Sequence, residues 1–131
     1  NEIMQGLNYS NRVLGFGNAP SIMQKAIQHL QNATIDVNIY RRKRDFLYDE
    51  LTKIGYSVVK PQGAFYIFPK SPIPDDEAFV MELKELLVLT TPGFVFKAPG
   101  YFRISYCIDD STIQRALPGL RKALEKYHGN K

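Results

Sequence analysis

Apolar positions recur at helical spacing in several stretches of the chain. After Asn18-Ala19-Pro20-Ser21, the residues Ile22, Met23, Ala26, Ile27 and Leu30 fall on one stripe. Asn18 can cap such a helix and Pro20 suits its first turn, so a helix ending near Asn32 is predicted. A longer helix is predicted from about Thr34 to Asp36 as far as Gly55, with Val37, Tyr40, Leu47, Leu51 and Ile54 as its stripe and Arg44 interrupting it. Gly55 stands where a left-handed residue ends a helix. At about 20 residues, roughly 30 Å, this helix is long enough to run from one body to another. Asp75 and Asp76 open a further helix, acids being favoured at a helix N-terminus, with Phe79, Val80, Leu83, Leu86 and Leu87 inward. Asp109-Asp110-Ser111 caps the last helix, with Ile113, Leu117, Leu120, Leu124 and Tyr127 inward; Pro118-Gly119 predicts a kink or a delayed start there.

Between these helices the period shortens to two. Tyr56–Val59 reads as a short strand, and Ala64–Phe68, apolar on both faces, as a central one. Val88–Thr90 is a short strand before a Pro92-Gly93 turn, and Val95-Phe96 a further brief pairing. Tyr101–Ile108 reads as a strand with Phe102, Ile104, Tyr106 and Ile108 on one face and Tyr101, Arg103, Ser105 and Cys107 on the other. Asn1–Ser10 has no assignable pattern, and Arg12–Gly17 reads as a strand end. The order α-α-β-β-α-β-β-α predicts an α+β, two-layer domain: a small, mainly antiparallel or mixed sheet with helices on one side.

Composition narrows the function classes. A length of 131 residues fits one domain with a core, and eight Phe and eight Tyr mark a globular chain. The net charge of +4 is mild and does not call for nucleic acid. A lone cysteine excludes an internal disulfide framework and fits a reducing, cytoplasmic setting. No apolar run reaches membrane-spanning length, so no membrane partner is expected. Asn1 is not a methionine, which fits either a processed start or a piece of a longer protein.

One residue stands out as chemistry. Arg103 places a charged guanidinium in an otherwise nearly uncharged strand, and its planar fork of donors matches a carboxylate or phosphate. A structural ion pair, or an arginine snorkelling on an exposed face, fits the spacing as well. There is no GxGxxG, no Walker loop, no Cys/His set with metal-ligand spacing and no arguable Ser/His/Asp arrangement. Cys107 reads as a small core or sheet residue. Arg41-Arg42-Lys43-Arg44 reads as the solvated face of the long helix.

Several stretches, in this order, carry a resemblance: Leu14-Gly15-Phe16-Gly17-Asn18-Ala19-Pro20-Ser21-Ile22-Met23-Gln24, then Tyr40 to Asp45 and on to Gly55-Tyr56. Pro61-Gln62-Gly63-Ala64-Phe65-Tyr66-Ile67-Phe68 follows, and then Pro92 to Phe96 and Tyr101-Phe102-Arg103-Ile104-Ser105. Together they resemble the C-terminal part of a fold-type I, pyridoxal-phosphate-dependent aminotransferase of the aspartate aminotransferase class (class I and II). The resemblance implies that residues 1–33 are a remnant of the large domain and residues 34–131 the small domain, which closes over the substrate. It implies that Arg103 forks onto the substrate α-carboxylate and that Gly63 and Phe65 lie near the substrate mouth.

The same resemblance implies an intact homodimeric enzyme that moves an amino group between an amino acid and a 2-oxo acid. No lysine here has the family's Schiff-base setting. The residues that hold the cofactor's phosphate and ring lie upstream in the family. The chain alone is therefore expected to be inactive, with no catalytic or cofactor-binding residue of its own. The alternatives are a lyase or decarboxylase of the same fold, or a non-catalytic domain binding carboxylates or a protein partner.

Overall fold

A computed structural model of the protein describes residues 1–15, 17 and 19–128. The chain divides into two compact units, Asn1–Ile35 and Asp36–Lys131.

The first unit holds two helices, α1 (Glu2–Val13) and α2 (Ser21–Ile27), neither of which buries a residue. Helix α1 occupies the stretch for which the sequence pattern predicts nothing, and its end, Arg12 and Val13, is helical where a strand end is expected. Gly6, Asn8 and Ser10 are weak helix formers that blur its apolar positions. Helix α2 stops at Ile27, short of Asn32, and its N-cap is Pro20, without a side-chain cap. The expected cap, Asn18, lies outside the described residues.

The second unit carries the core. Helix α3 (Val37–Ile54) begins where the Asp36 carboxylate accepts the Asn38 N–H at 2.9 Å. It ends at Gly55, whose φ of 111° is open to glycine at little cost and returns its N–H to the Leu51 and Thr52 carbonyls. Helix α4 (Asp76–Glu85) is capped by Asp75, which accepts the Ala78 N–H at 2.9 Å. Phe79, Val80 and Leu83 are buried as predicted, and Leu86 is partly buried. Leu87 is not inward: it follows the helix end with a φ of 61° and is 91 % exposed. Helix α5 (Asp110–His128) runs on through Pro118, which excludes the delayed start.

The sheet is shorter than the apolar runs suggest. It comprises β1 (Tyr66–Ile67), β2 (Thr91–Pro92) and β3 (Phe102–Ser105) in the order β1-β3-β2, with both pairs antiparallel. Tyr66 faces Ser105, Ile67 faces Ile104, Thr91 faces Arg103 and Pro92 faces Phe102. The central strand is therefore β3, not the Ala64–Phe68 run. Tyr56–Val59 contributes only an isolated bridge, Val58 to Pro69. Val88–Thr90 precedes β2, and Gly93–Phe96 is a turn of 3-10 helix in place of a further pairing. Cys107 and Ile108 lie beyond β3 and are exposed, so neither the core reading of Cys107 nor the inward reading of Ile108 holds.

Alternation along β3 divides the sheet. Phe102 and Tyr106 are buried with Ile67, Leu47, Leu51, Phe79, Leu83 and Leu120 in one cluster. The Phe102 ring meets Phe79 of α4 at 5.1 Å and Tyr56 at 5.6 Å, both edge-on, the favoured approach for aromatic quadrupoles. Tyr56 also donates its hydroxyl to the Leu120 carbonyl at 2.9 Å, and burial holds its proton on well above the ordinary phenol range. The other face of β3 is left to Arg103.

Candidate functional site

Arg103 is half-buried, and its guanidinium carbon lies 4.1 Å from the centre of the Tyr66 ring and 4.1 Å from that of Phe96. Tyr66 arrives from β1, diagonal to Arg103 across the strand pair. Phe96 arrives from the 3-10 turn after β2, and its ring stands edge-on to Phe68 at 5.8 Å. Two aromatic faces thus hold one guanidinium in a cation–π contact. Among the described residues no carboxylate pairs with Arg103 and no protein group accepts a hydrogen bond from it. Its donors are free for a planar anion.

The 3-10 turn that brings Phe96 to this point depends on Gly93. A β-carbon there would stand 2.2 Å from the Ala98 carbonyl oxygen and 2.5 Å from that of Tyr101, both backbone atoms that cannot swing aside. Gly93 donates its N–H to the Tyr101 carbonyl at 2.8 Å and accepts the Ala98 N–H at 3.0 Å, which doubles the chain back toward β3.

The other residues expected at the substrate mouth are placed differently. The Phe65 ring leans on Tyr40 of α3 at 5.1 Å and does not stack on Arg103. The rings that do so, Tyr66 and Phe96, follow Phe65 and close the Pro92–Phe96 segment. The strand pattern marked both as apolar without assigning them to the arginine. Gly63 lies in the loop before β1, with open space around its α-carbon.

That loop is held from below. Arg44 donates to the Pro61 carbonyl at 3.2 Å, and Tyr106 donates its hydroxyl to the Ala64 carbonyl at 2.8 Å. Asp45 takes Lys60 at 2.9 Å and Arg44 at 2.7 Å, and these hydrogen bonds, Lys60 first, hold its carboxyl below the usual carboxylate range. So the arginine that interrupts the α3 stripe serves the loop, not the solvent.

A cavity of about 600 Å³ lies elsewhere. Leu47, Ile104, Ile113 and Leu120 line it, and Arg103 does not. Among the described residues no cluster of His, Cys, Asp and Glu could hold a metal, and no helix is long and apolar enough to cross a membrane.

Comparison with known proteins agrees with this architecture. The profile of the family described as aminotransferase class I and II matches residues 7–120. The chain is 42% identical over 90 residues to the aspartate/prephenate aminotransferase of Thermus thermophilus, covering 67% of this chain and 22% of that protein. The crystal structure of an amino transferase from Eubacterium rectale superposes with a TM-score of 0.82 at 45% identity, over 92% of this chain and 30% of that one. The Thermus thermophilus aspartate aminotransferase with maleate superposes with a TM-score of 0.62 at 35% identity, over 64% of this chain and 22% of that one. The chain thus spans under a third of the length of these relatives. On this match across residues 7–120 and the fold shared at this identity, the chain belongs to the class I and II aminotransferases.

Proposed function

We propose that this chain is the small domain of a pyridoxal-phosphate-dependent aminotransferase, and that Arg103 binds the α-carboxylate of its amino acid or 2-oxo acid substrate. The observation that carries this reading is the Arg103 guanidinium, held between Tyr66 and Phe96 with no carboxylate partner among the described residues. A structural ion pair would need such a partner. A relative's structure with maleate, a dicarboxylate, supports the same chemistry. Gly63 and Phe65 then form the rim, braced on α3 through Tyr40 and Arg44. The domain binds and orients; it supplies no proton transfer.

The described residues of this chain do not fit the cofactor itself. A phosphate group favours a helix N-terminus, yet α3, α4 and α5 open on Asp36, on Asp75 and Asp76, and on Asp110. Lys43, Lys53, Lys60 and Lys126 are each tied to a carboxylate. In this reading the cofactor, the lysine that holds it and the main homodimer contacts belong to other parts of an intact cytoplasmic enzyme. The deciding experiment compares an amino acid with its α-carboxamide in that enzyme. The native enzyme prefers the acid strongly, and Arg103→Gln erases the preference. An unchanged preference would contradict the assignment.

A further inference from the structure

Asp76 is a charged residue, only 5 % exposed, at the first position of α4. Capping does not explain it, because Asp75 already accepts the Ala78 N–H at the head of that helix. The Asp76 carboxylate is directed to another segment: its Oδ2 accepts the Phe94 N–H at 2.9 Å. Phe94 lies in the 3-10 turn Gly93–Phe96, whose first N–H groups have no partner inside the turn. A hydrogen bond from a backbone N–H to a buried carboxylate is of the stronger, charge-assisted kind.

The turn is fixed at three points. Gly93 is locked against the Ala98 and Tyr101 carbonyls, Lys97 closes the turn in the left-handed region with a φ of 60° and donates its N–H to the Phe94 carbonyl at 3.0 Å, and Asp76 grips Phe94 between them. The one side chain this turn delivers to Arg103 is Phe96. Phe96 sits on the outer face of the sheet and is 38 % exposed, so burial alone does not fix its ring.

We propose that Asp76 is a positioning residue for the carboxylate site: by holding the Phe94 N–H it sets the Gly93–Phe96 turn, and the turn sets the Phe96 face against which the Arg103 guanidinium is oriented. The inference rests on the reading of Arg103 as a carboxylate receptor. It adds that a residue touching neither substrate nor Arg103 controls carboxylate affinity.

The test uses this chain, ¹⁵N-labelled, titrated with 2-oxoglutarate while the Arg103 Nε–Hε resonance is followed; Arg103→Lys assigns the peak. In the native chain the peak moves and saturates. Asp76→Ala weakens binding fivefold or more, and Asp76→Asn, which keeps an acceptor oxygen, recovers most of it. Phe96→Leu weakens binding to a similar degree, and Asp76→Ala adds nothing further on top of it, because both act through one ring. Melting temperatures are recorded alongside. If Asp76→Ala fails to fold, Asp76→Asn and Phe96→Leu carry the test: Phe96→Leu with native affinity overturns the proposal. A lowered melting temperature with unchanged affinity in Asp76→Ala overturns it too, as do additive effects in the double variant. A native Arg103 resonance that does not respond to 2-oxoglutarate overturns the receptor reading itself, and this inference with it.

Discussion

The Arg103 guanidinium and the Phe96 ring meet at 4.1 Å, and they do so because the chain doubles back at Gly93. The relationship joins the two stretches that stood out in the sequence, the Pro-Gly segment and the arginine strand. It also explains the glycine: the fold needs the backbone, not a side chain, at that point.

Gly93→Ala is therefore expected to destabilise the chain by about 2 kcal/mol or more, the overpacking cost of a methyl group that meets rigid backbone. Urea unfolding followed by far-ultraviolet circular dichroism checks this. An unchanged midpoint would show that the turn can open without loss.

Among the described residues the core belongs to the second unit, since each buried apolar residue lies beyond Asp36. A chain of residues 36–131 is expected to unfold cooperatively in urea, with its aromatic near-ultraviolet signal intact beforehand. Phe102→Ala in that chain should cost about 3–5 kcal/mol, the usual price of a large ring removed from a core. Loss of cooperativity in residues 36–131 would place part of the folding free energy in the first unit.

Burial makes Tyr56 hold its proton beyond its ordinary value of 10, and Tyr106 shifts the same way for the same first cause. A phenol with a raised folded-state value stabilises the fold fully below its unfolded value and loses that contribution as pH climbs past it. The unfolded chain then binds fewer protons than the folded one, so stability falls with pH. Urea midpoints measured between about pH 9 and pH 11 should decline, and Tyr56→Phe should flatten the decline. At neutral pH that variant should cost about 1 kcal/mol for the lost hydrogen bond to Leu120. A decline as steep in Tyr56→Phe as in the native chain would contradict the assignment to Tyr56.

Much of this architecture is legible in the sequence where capping chemistry and burial coincide. Helix α3 runs from its Asp36 cap to Gly55, α4 opens at Asp75, and Phe102 of β3 and Tyr106 just after it share a buried face, all as the pattern predicts. The misreadings share a physical cause: apolar side chains that serve something other than the core. Tyr66 and Phe68 made Ala64–Phe68 look like a central strand, but their rings gather around Arg103 and Phe96 on the outer face of the sheet. Leu87 continues the α4 stripe in sequence yet follows the helix end, where the left-handed backbone turns it outward. Asp76 read as a dipole-favoured helix opener, because its partner Phe94 is distant in sequence. The two aromatics on Arg103 were visible as residues, but their meeting requires the turn at Gly93, which no local pattern encodes.

The chain by itself is expected neither to form an imine with pyridoxal phosphate nor to transaminate, because no lysine here has the family's Schiff-base setting and α3, α4 and α5 open on aspartates that disfavour a phosphate. Incubation with pyridoxal phosphate, borohydride reduction and peptide mapping check this. Stoichiometric trapping at one lysine of this chain would contradict it.

The central claim is that Arg103 is a substrate receptor and not a structural cation. The measurement that tests it most directly is kcat/KM for the amino acid substrate in the intact aminotransferase carrying Arg103→Lys, set beside thermal melts of this chain with the same substitution. A lysine keeps the charge but loses the planar fork and most of the stacking on Tyr66 and Phe96. The predicted result is a loss of about 2–4 kcal/mol in transition-state binding, roughly 30-fold to 1000-fold in kcat/KM. The melting temperature should change little, since the stacked rings are partly exposed and such a contact contributes about 0.5–1 kcal/mol. A clearly destabilised chain together with unchanged kcat/KM would contradict the claim.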